Sequence, residues 1–224
     1  ARVVKALGRT GDPGVISLID AATKDELTTV RIAAYGALIR LGKKEAWTQL
    51  QKVAESPNPE DRAEAIRTIA ELKDQRGTSI MTESLTYKQP SVRGAAARGL
   101  GHLGRKEARG QIEQLLTDPI PAVRESAAGG LAELGGPESV PALTQALSDG
   151  NSTVRASAIA ALLQIGQPYS TVAPTAQSLA QQNDMAMRAS VAYALGKATK
   201  DNAPGAISLL TSLTADPLPG PKIV

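Results

Sequence analysis

Cysteine and phenylalanine are absent from these 224 residues, histidine and tryptophan occur once each, and tyrosine occurs four times. Without cysteine there are no disulfides, thiolate metal ligands or thiol nucleophile, and the compartment stays open. One histidine cannot supply the three or four His/Cys ligands of a zinc site. Nor does any grouping around His102 offer the oriented base that Ser–His–Asp catalysis needs. No apolar run approaches the roughly 18 residues of a membrane span. Glycine-rich phosphate loops are missing too, because Gly99 and Gly101 fall inside a helical pattern. With 42% apolar but only 2% aromatic residues, the core must be filled by Ala, Leu, Ile and Val, which suits closely spaced helices. Net charge is +3, unevenly spread: residues 1–112 hold 19 Lys/Arg against 13 Asp/Glu, and residues 113–224 hold 6 against 9. That gradient is compatible with a partner, or a second copy, of opposite polarity.

What the chain does have is a period. Arg31, Arg62, Arg93, Arg124 and Arg155 stand at steps of 31, and Arg188 follows after 33. Seven residues beyond each lies Leu38, Ile69, Leu100, Leu131, Leu162 or Leu195, and Leu7 continues the series backwards. A fixed period in this range denotes stacked supersecondary units that bury their apolar faces against their neighbours. Counted from Arg93, small or apolar residues at Val92, Ala96, Ala97, Leu100 and Leu103 form one face of a helix. Glycines in register (Gly42, Gly104, Gly135, Gly166) stop it, since a left-handed cap suits glycine. A second helix follows, with Ala108, Ile112, Leu115 and Leu116 inward, and ends in a turn rich in Pro, Asp, Asn and Ser. Each unit therefore reads as a helical hairpin. Gly99, Gly101, Gly129 and Gly130 each cost about 1 kcal/mol of helix propensity, so close approach of neighbouring backbones is expected there.

The pattern V-R-x-x-A-A-x-x-L-x-x-L-G, followed by a second helix and a D/P turn, resembles HEAT-like repeats of the short bacterial type named after phycobilisome lyases. The resemblance implies an all-α, right-handed solenoid of about seven hairpins over residues 1–216, with a Pro-rich tail at 217–224. Its departures are Asp61-Arg62 in place of Val-Arg, Lys73 and Thr199 in place of the stop glycine, and two extra residues around Gln167–Ser170. It also implies that the repeated arginine is structural, pairing with turn carboxylates and carbonyls, for which Asp118 and Asp149 are placed just before Arg124 and Arg155. Deoxyhypusine hydroxylases of this fold hold iron with several His-Glu pairs, which this chain lacks. HEAT-like DNA glycosylases line a groove with basic residues, whereas 139–148 and 172–182 here contain none, so nucleic acid is not expected to bind.

These features point to a non-catalytic protein-interaction scaffold without cofactor or metal, whose partner is another protein. The alternative that the resemblance brings is a bilin lyase subunit or phycobilisome-processing factor. The second helices are expected to line the groove, presenting Thr48, Gln49, Lys52, Ser79, Glu83, Gln111, Gln114, Ala142, Gln145 and Gln177. This Gln/Thr-rich surface suits hydrogen bonding to a folded partner. Tyr87 in a turn, Tyr169 in the insertion and Tyr193 at an exposed register are aromatic candidates. Trp47 is expected to fill a gap between repeats, Tyr35 to be core, and His102 to face solvent. The first helix reads as already under way at Ala1, and three prolines from Pro217 stop the array. An open N-terminal face is therefore expected to be covered by the remainder of a longer chain or by a second copy, and Leu218, Ile223 and Val224 either to fold back over Ile207 and Leu210 or to continue into another domain.

Overall fold

The structure is a computed structural model that describes residues 1–182, 184–199 and 203–215. The segment 216–224, including the fold-back expected of Leu218, Ile223 and Val224, lies outside the described residues. Among those described, α-helices alternate with short turns and no strand occurs. The chain is an all-α solenoid in two compact units, Ala1–Arg105 and Lys106–Val224.

In the first unit the Arg-headed helices are α1 (Arg2–Arg9), α3 (Thr28–Arg40), α5 (Pro59–Glu71) and α7 (Pro90–His102). The second helices between them are α2 (Ile16–Ala22), α4 (Ala46–Ala54) and α6 (Thr78–Ser84). The second unit holds α8 (Arg109–Gln114), α10 (Val140–Ala146), α12 (Tyr169–Ala180) and α14 (Ala203–Ala215) as second helices. Its Arg-headed helices are α9 (Pro121–Leu134), α11 (Ser152–Gln164) and α13 (Met185–Leu195). In both units each Arg-headed helix packs along the next one, while the second helices up to α12 lean mainly on the Arg-headed layer; α14 packs on both α12 and α13.

Sequence sets both ends of these helices. Asn58, Asn151 and Asp184 accept bonds from the second and third helical N–H groups of α5, α11 and α13, and proline opens α5, α7 and α9. At the other end, Gly11, Gly42, Gly104, Gly135 and Gly166 all have positive φ, and so does Lys73 (φ 53°), which therefore fills the glycine's role as well as its place. Behind four of these joints the same bond recurs: Lys43 N to Leu38 O (2.9 Å), Asp74 N to Ile69 O (3.3 Å), Arg105 N to Leu100 O (3.0 Å) and Gln167 N to Leu162 O (2.9 Å). The seventh unit differs. Its helix α13 ends at Leu195 with Gly196 right-handed, and Thr199 lies beyond that end.

Leu38, Ile69, Leu100, Leu131, Leu162 and Leu195 are all buried. The small-residue faces let helices approach: a Cβ on Gly8 would fall 2.7 Å from the Ala37 Cα, and one on Gly99 2.8 Å from the Met81 Sδ. On α1, Val3 is 72% exposed, and Leu18 and Leu27 are also exposed.

Candidate protein-binding surface

The repeated arginines face inward to the turns and form no free ladder. Arg31 Nη1 donates to the Asp25 and Glu26 carbonyls (2.7 and 2.8 Å), and Arg93 Nη1 to those of Tyr87 and Lys88 (2.8 and 2.9 Å). Arg124 Nη1 donates to the Asp118 carbonyl (2.7 Å) and Arg155 Nη1 to the Asp149 carbonyl (2.6 Å). Arg62 uses Nε, on the Ala54 carbonyl at 2.8 Å. At these five joints a guanidinium thus satisfies carbonyls left over at the end of the second helix or in the turn after it.

The carboxylate pairing runs otherwise than expected. Asp149 binds not the following Arg155 but Arg124, in a fork with Nε at 2.7 Å and Nη2 at 2.8 Å, reaching forward 25 residues. This hydrogen-bonded fork holds the Asp149 carboxyl below the usual carboxylate range and raises Arg124 in turn. In the first unit the equivalent place, 25 residues after Arg62, belongs to Tyr87, whose ring lies 4.4 Å from the Arg62 guanidinium carbon. Tyr87, expected as an exposed contact, is instead half-buried under that arginine.

The other aromatics divide similarly. Trp47 is buried, donates from Nε1 to Gln51 (3.0 Å) and carries the Arg76 guanidinium at 4.2 Å; it fills a gap. Asp74 grips Arg76 through three contacts of 2.6 to 3.2 Å and is thereby held low. Tyr169 is half-buried at the start of α12 with its ring against Gly205, and burial pushes its phenol up. Tyr193 is 66% exposed, with Lys197 Nζ 4.9 Å from its ring centre. Tyr35 is half-buried and packs against the core around Ile19, Ala34, Ala37 and Leu38, as expected, whereas His102 is half-buried rather than solvent-facing. Thr48, Gln49 and Lys52 on α4, Ser79 and Glu83 on α6, Gln111 and Gln114 on α8, Gln145 on α10 and Gln177 on α12 are exposed, while Ala142 is half-buried. Ser79 and Glu83 are tied to each other (3.0 Å).

One feature of the first unit escaped the sequence. Lys5 on α1 reaches across α3 to Glu64 (3.3 Å) and Glu71 (3.5 Å) on α5, and Arg67 joins Glu64 at 2.9 Å. The span is possible because α3 presents the small residues Ala33, Gly36 and Ala37 beneath it. A Cβ on Gly36 would fall 2.6 Å from the Thr68 Cγ2. The result is a depression of about 280 Å³, counting the solvent above it, lined by Lys5, Arg9, Gly36, Arg40, Thr68 and Glu71 among others. The signal was in the register: where neighbouring units carry Lys5 or Arg67, this one carries glycine. Among the described residues no group of three or more His, Asp and Glu could hold a metal, and no helix is long and apolar enough to cross a membrane.

The sequence signature of HEAT repeats matches residues 48–110, 85–163 and 141–220. The chain belongs to the HEAT-repeat family. Among solved structures, this HEAT-repeat chain is similar to the complex of CpcE and CpcF of phycocyanin lyase from Nostoc sp. PCC7120. That match has a TM-score of 0.57 and 22% identity, and covers 94% of this chain and 87% of that one. It is also similar to the YIBA protein of E. coli, with a TM-score of 0.55, 18% identity and coverage of 95% and 81%. At these identities the likeness is one of fold. No curated protein sequence matches the chain significantly.

Proposed function

We propose that this HEAT-repeat chain is a non-catalytic scaffold that recognises a folded protein through the exposed positions of its repeats. The observation that carries this reading is a contrast between two registers. Seven residues after each repeat arginine the side chain is always Leu or Ile, and buried from Leu38 onward. Nine residues after, the series runs Arg9, Arg40, Glu71, His102, Glu133, Gln164, Lys197. A stack needs the first to be constant; it leaves the second free to encode a partner. The exposed amides of Gln49, Gln111, Gln114, Gln145 and Gln177 add hydrogen-bonding capacity without stickiness. Within the first unit we infer that the Arg-headed layer, rather than the second helices, is the inner side, because Lys5 and Glu64 meet over the helix between them.

The test is capture with the full chain followed by cross-link mapping. A protein held specifically, with cross-links on one helix layer and lost on charge reversal of that layer, supports the reading. Capture indistinguishable from that by a heat-unfolded chain rejects it. A bilin lyase subunit is the second reading, suggested by the phycocyanin lyase complex. Mixing with a linear tetrapyrrole should then give a red-shifted absorption band, and a flat difference spectrum removes it.

A further inference from the structure

We propose that the depression over α3 in the first unit is a docking point for an acidic side chain of the protein partner, with Arg9 and Arg40 as its donors. This rests on the scaffold reading and names the chemistry that one part of the surface selects. Six charged side chains surround or brace the depression. Lys5 is committed to Glu64 and Glu71, and Arg67 to Glu64. Arg9 and Arg40 are exposed, and neither makes an ion pair or side-chain hydrogen bond with the described residues. They occupy the same register on adjacent helices, so two uncommitted guanidinium forks border one hollow.

The wall supplies an independent sign. Thr68 is only 3% exposed, and its hydroxyl has no hydrogen-bond partner among the described residues. A buried hydroxyl left unpaired costs about 1–3 kcal/mol. Its methyl is the group that faces Gly36. Rotation about χ1 would bring the hydroxyl to that side, where an entering carboxylate could accept from it.

Charge selects a carboxylate over a polyanion. Four cations face two carboxylates, Glu64 and Glu71, so the surplus suits one or two negative charges. The two glutamates would repel a phosphodiester track, whose binding needs many released counterions. A single acidic side chain, or an adjacent pair, matches that surplus.

The experiment is a chemical-shift titration of the isotope-labelled full chain, at low salt, with N-acetyl tetraglutamate amide and its tetraglutamine counterpart. Shifts should appear with the glutamate peptide alone and centre on the amides around Lys5, Arg9, Gly36, Arg40 and Thr68. Each guanidinium contact is worth on the order of tenfold in affinity. The double variant Arg9→Ala, Arg40→Ala should therefore lose measurable binding, and Thr68→Val should weaken it several-fold while raising the thermal midpoint, because it removes an unpaired buried hydroxyl. Unchanged binding by the double variant, or shifts centred on Lys43, Lys44 and Lys88, overturns the proposal. Inorganic phosphate competing far better than acetate overturns the commitment to a carboxylate. Should a captured partner bind the double variant as well as the native chain, the docking point fails while the scaffold stands. Peptide binding without any captured partner has the opposite meaning.

Discussion

The two units fill the same place in their repeats with different chemistry. Twenty-five residues after the repeat arginine, the first unit sets the face of Tyr87 against Arg62 and the second sets the carboxylate of Asp149 against Arg124. Both restrain a guanidinium that is also satisfying the carbonyls of its own turn. The second unit adds a buried polar seam: Arg109 donates to the Ser139 hydroxyl (2.9 Å) and the Gly135 carbonyl (2.9 Å), and Ser139 donates to Glu113 (2.7 Å). The first relies more on cation–π stacking, at Tyr87 and again at Trp47. A HEAT-repeat joint therefore asks for a held guanidinium, and leaves open whether a ring or an acid holds it.

The sharpest way to break this equivalence is at the core beneath the joints. Leu100→Ala and Leu131→Ala should each cost about 2–5 kcal/mol in denaturant unfolding, because both side chains are fully buried. Hydrogen exchange should quicken chiefly in α5 and α7 for the first, and in α9 and α11 for the second. A loss below about 1 kcal/mol at either position would mean that the registers are not equivalent.

Next comes the joint itself. Asp149→Ala should cost about 1–3 kcal/mol, since it strips a fork from a largely buried arginine. Because the folded-state carboxyl titrates below its ordinary value, its stabilisation is present above the unfolded value and is lost as pH falls through the folded one. An acid titration of stability below about pH 4 should therefore be shallower in Asp149→Asn than in the native chain. Tyr87→Leu should cost about 0.5–1 kcal/mol, with no dependence on pH in that range. Equal acid sensitivity of the two variants would erase the distinction.

Smaller effects separate the caps and the surface. Lys73→Gly should gain about 0.5–1 kcal/mol, because a side chain is strained at positive φ. Lys5→Met should cost less than about 1 kcal/mol and lose even that in high salt, as a partly exposed ion pair does.

The stack and its registers were legible because they are local. Stop glycines, cap asparagines and buried leucines recur at fixed offsets, and each depends on its own turn of chain. Contacts between repeats were not. Asp149 adjoins Arg155 in sequence, yet its carboxylate serves the arginine of the preceding unit, because the fork reaches forward from there. Tyr87 reads as a free turn aromatic until Arg62 is laid over it. The hollow over α3 is likewise a property of three helices, visible in sequence only as a glycine where the two neighbouring units place Lys5 and Arg67. Of the second-helix residues singled out, nearly all are exposed, since outward positions on an amphipathic helix follow from period alone.

The positive-φ joints at Gly11, Gly42, Lys73, Gly104, Gly135 and Gly166 fall at the same point of the first six repeats. A chain cut just after Gly42, Lys73, Gly104 or Gly166 and rejoined just after another of these four meets the same closing bond on both sides of the splice. Excising residues 43–73 would leave Gly42 followed by Asp74, whose amide already closes an equivalent bond at its own joint. Such splices cost no new turn, so duplication and loss of whole 31-residue blocks are conformationally neutral at the seam. An array of this kind can lengthen or shorten by genetic recombination, one hairpin at a time.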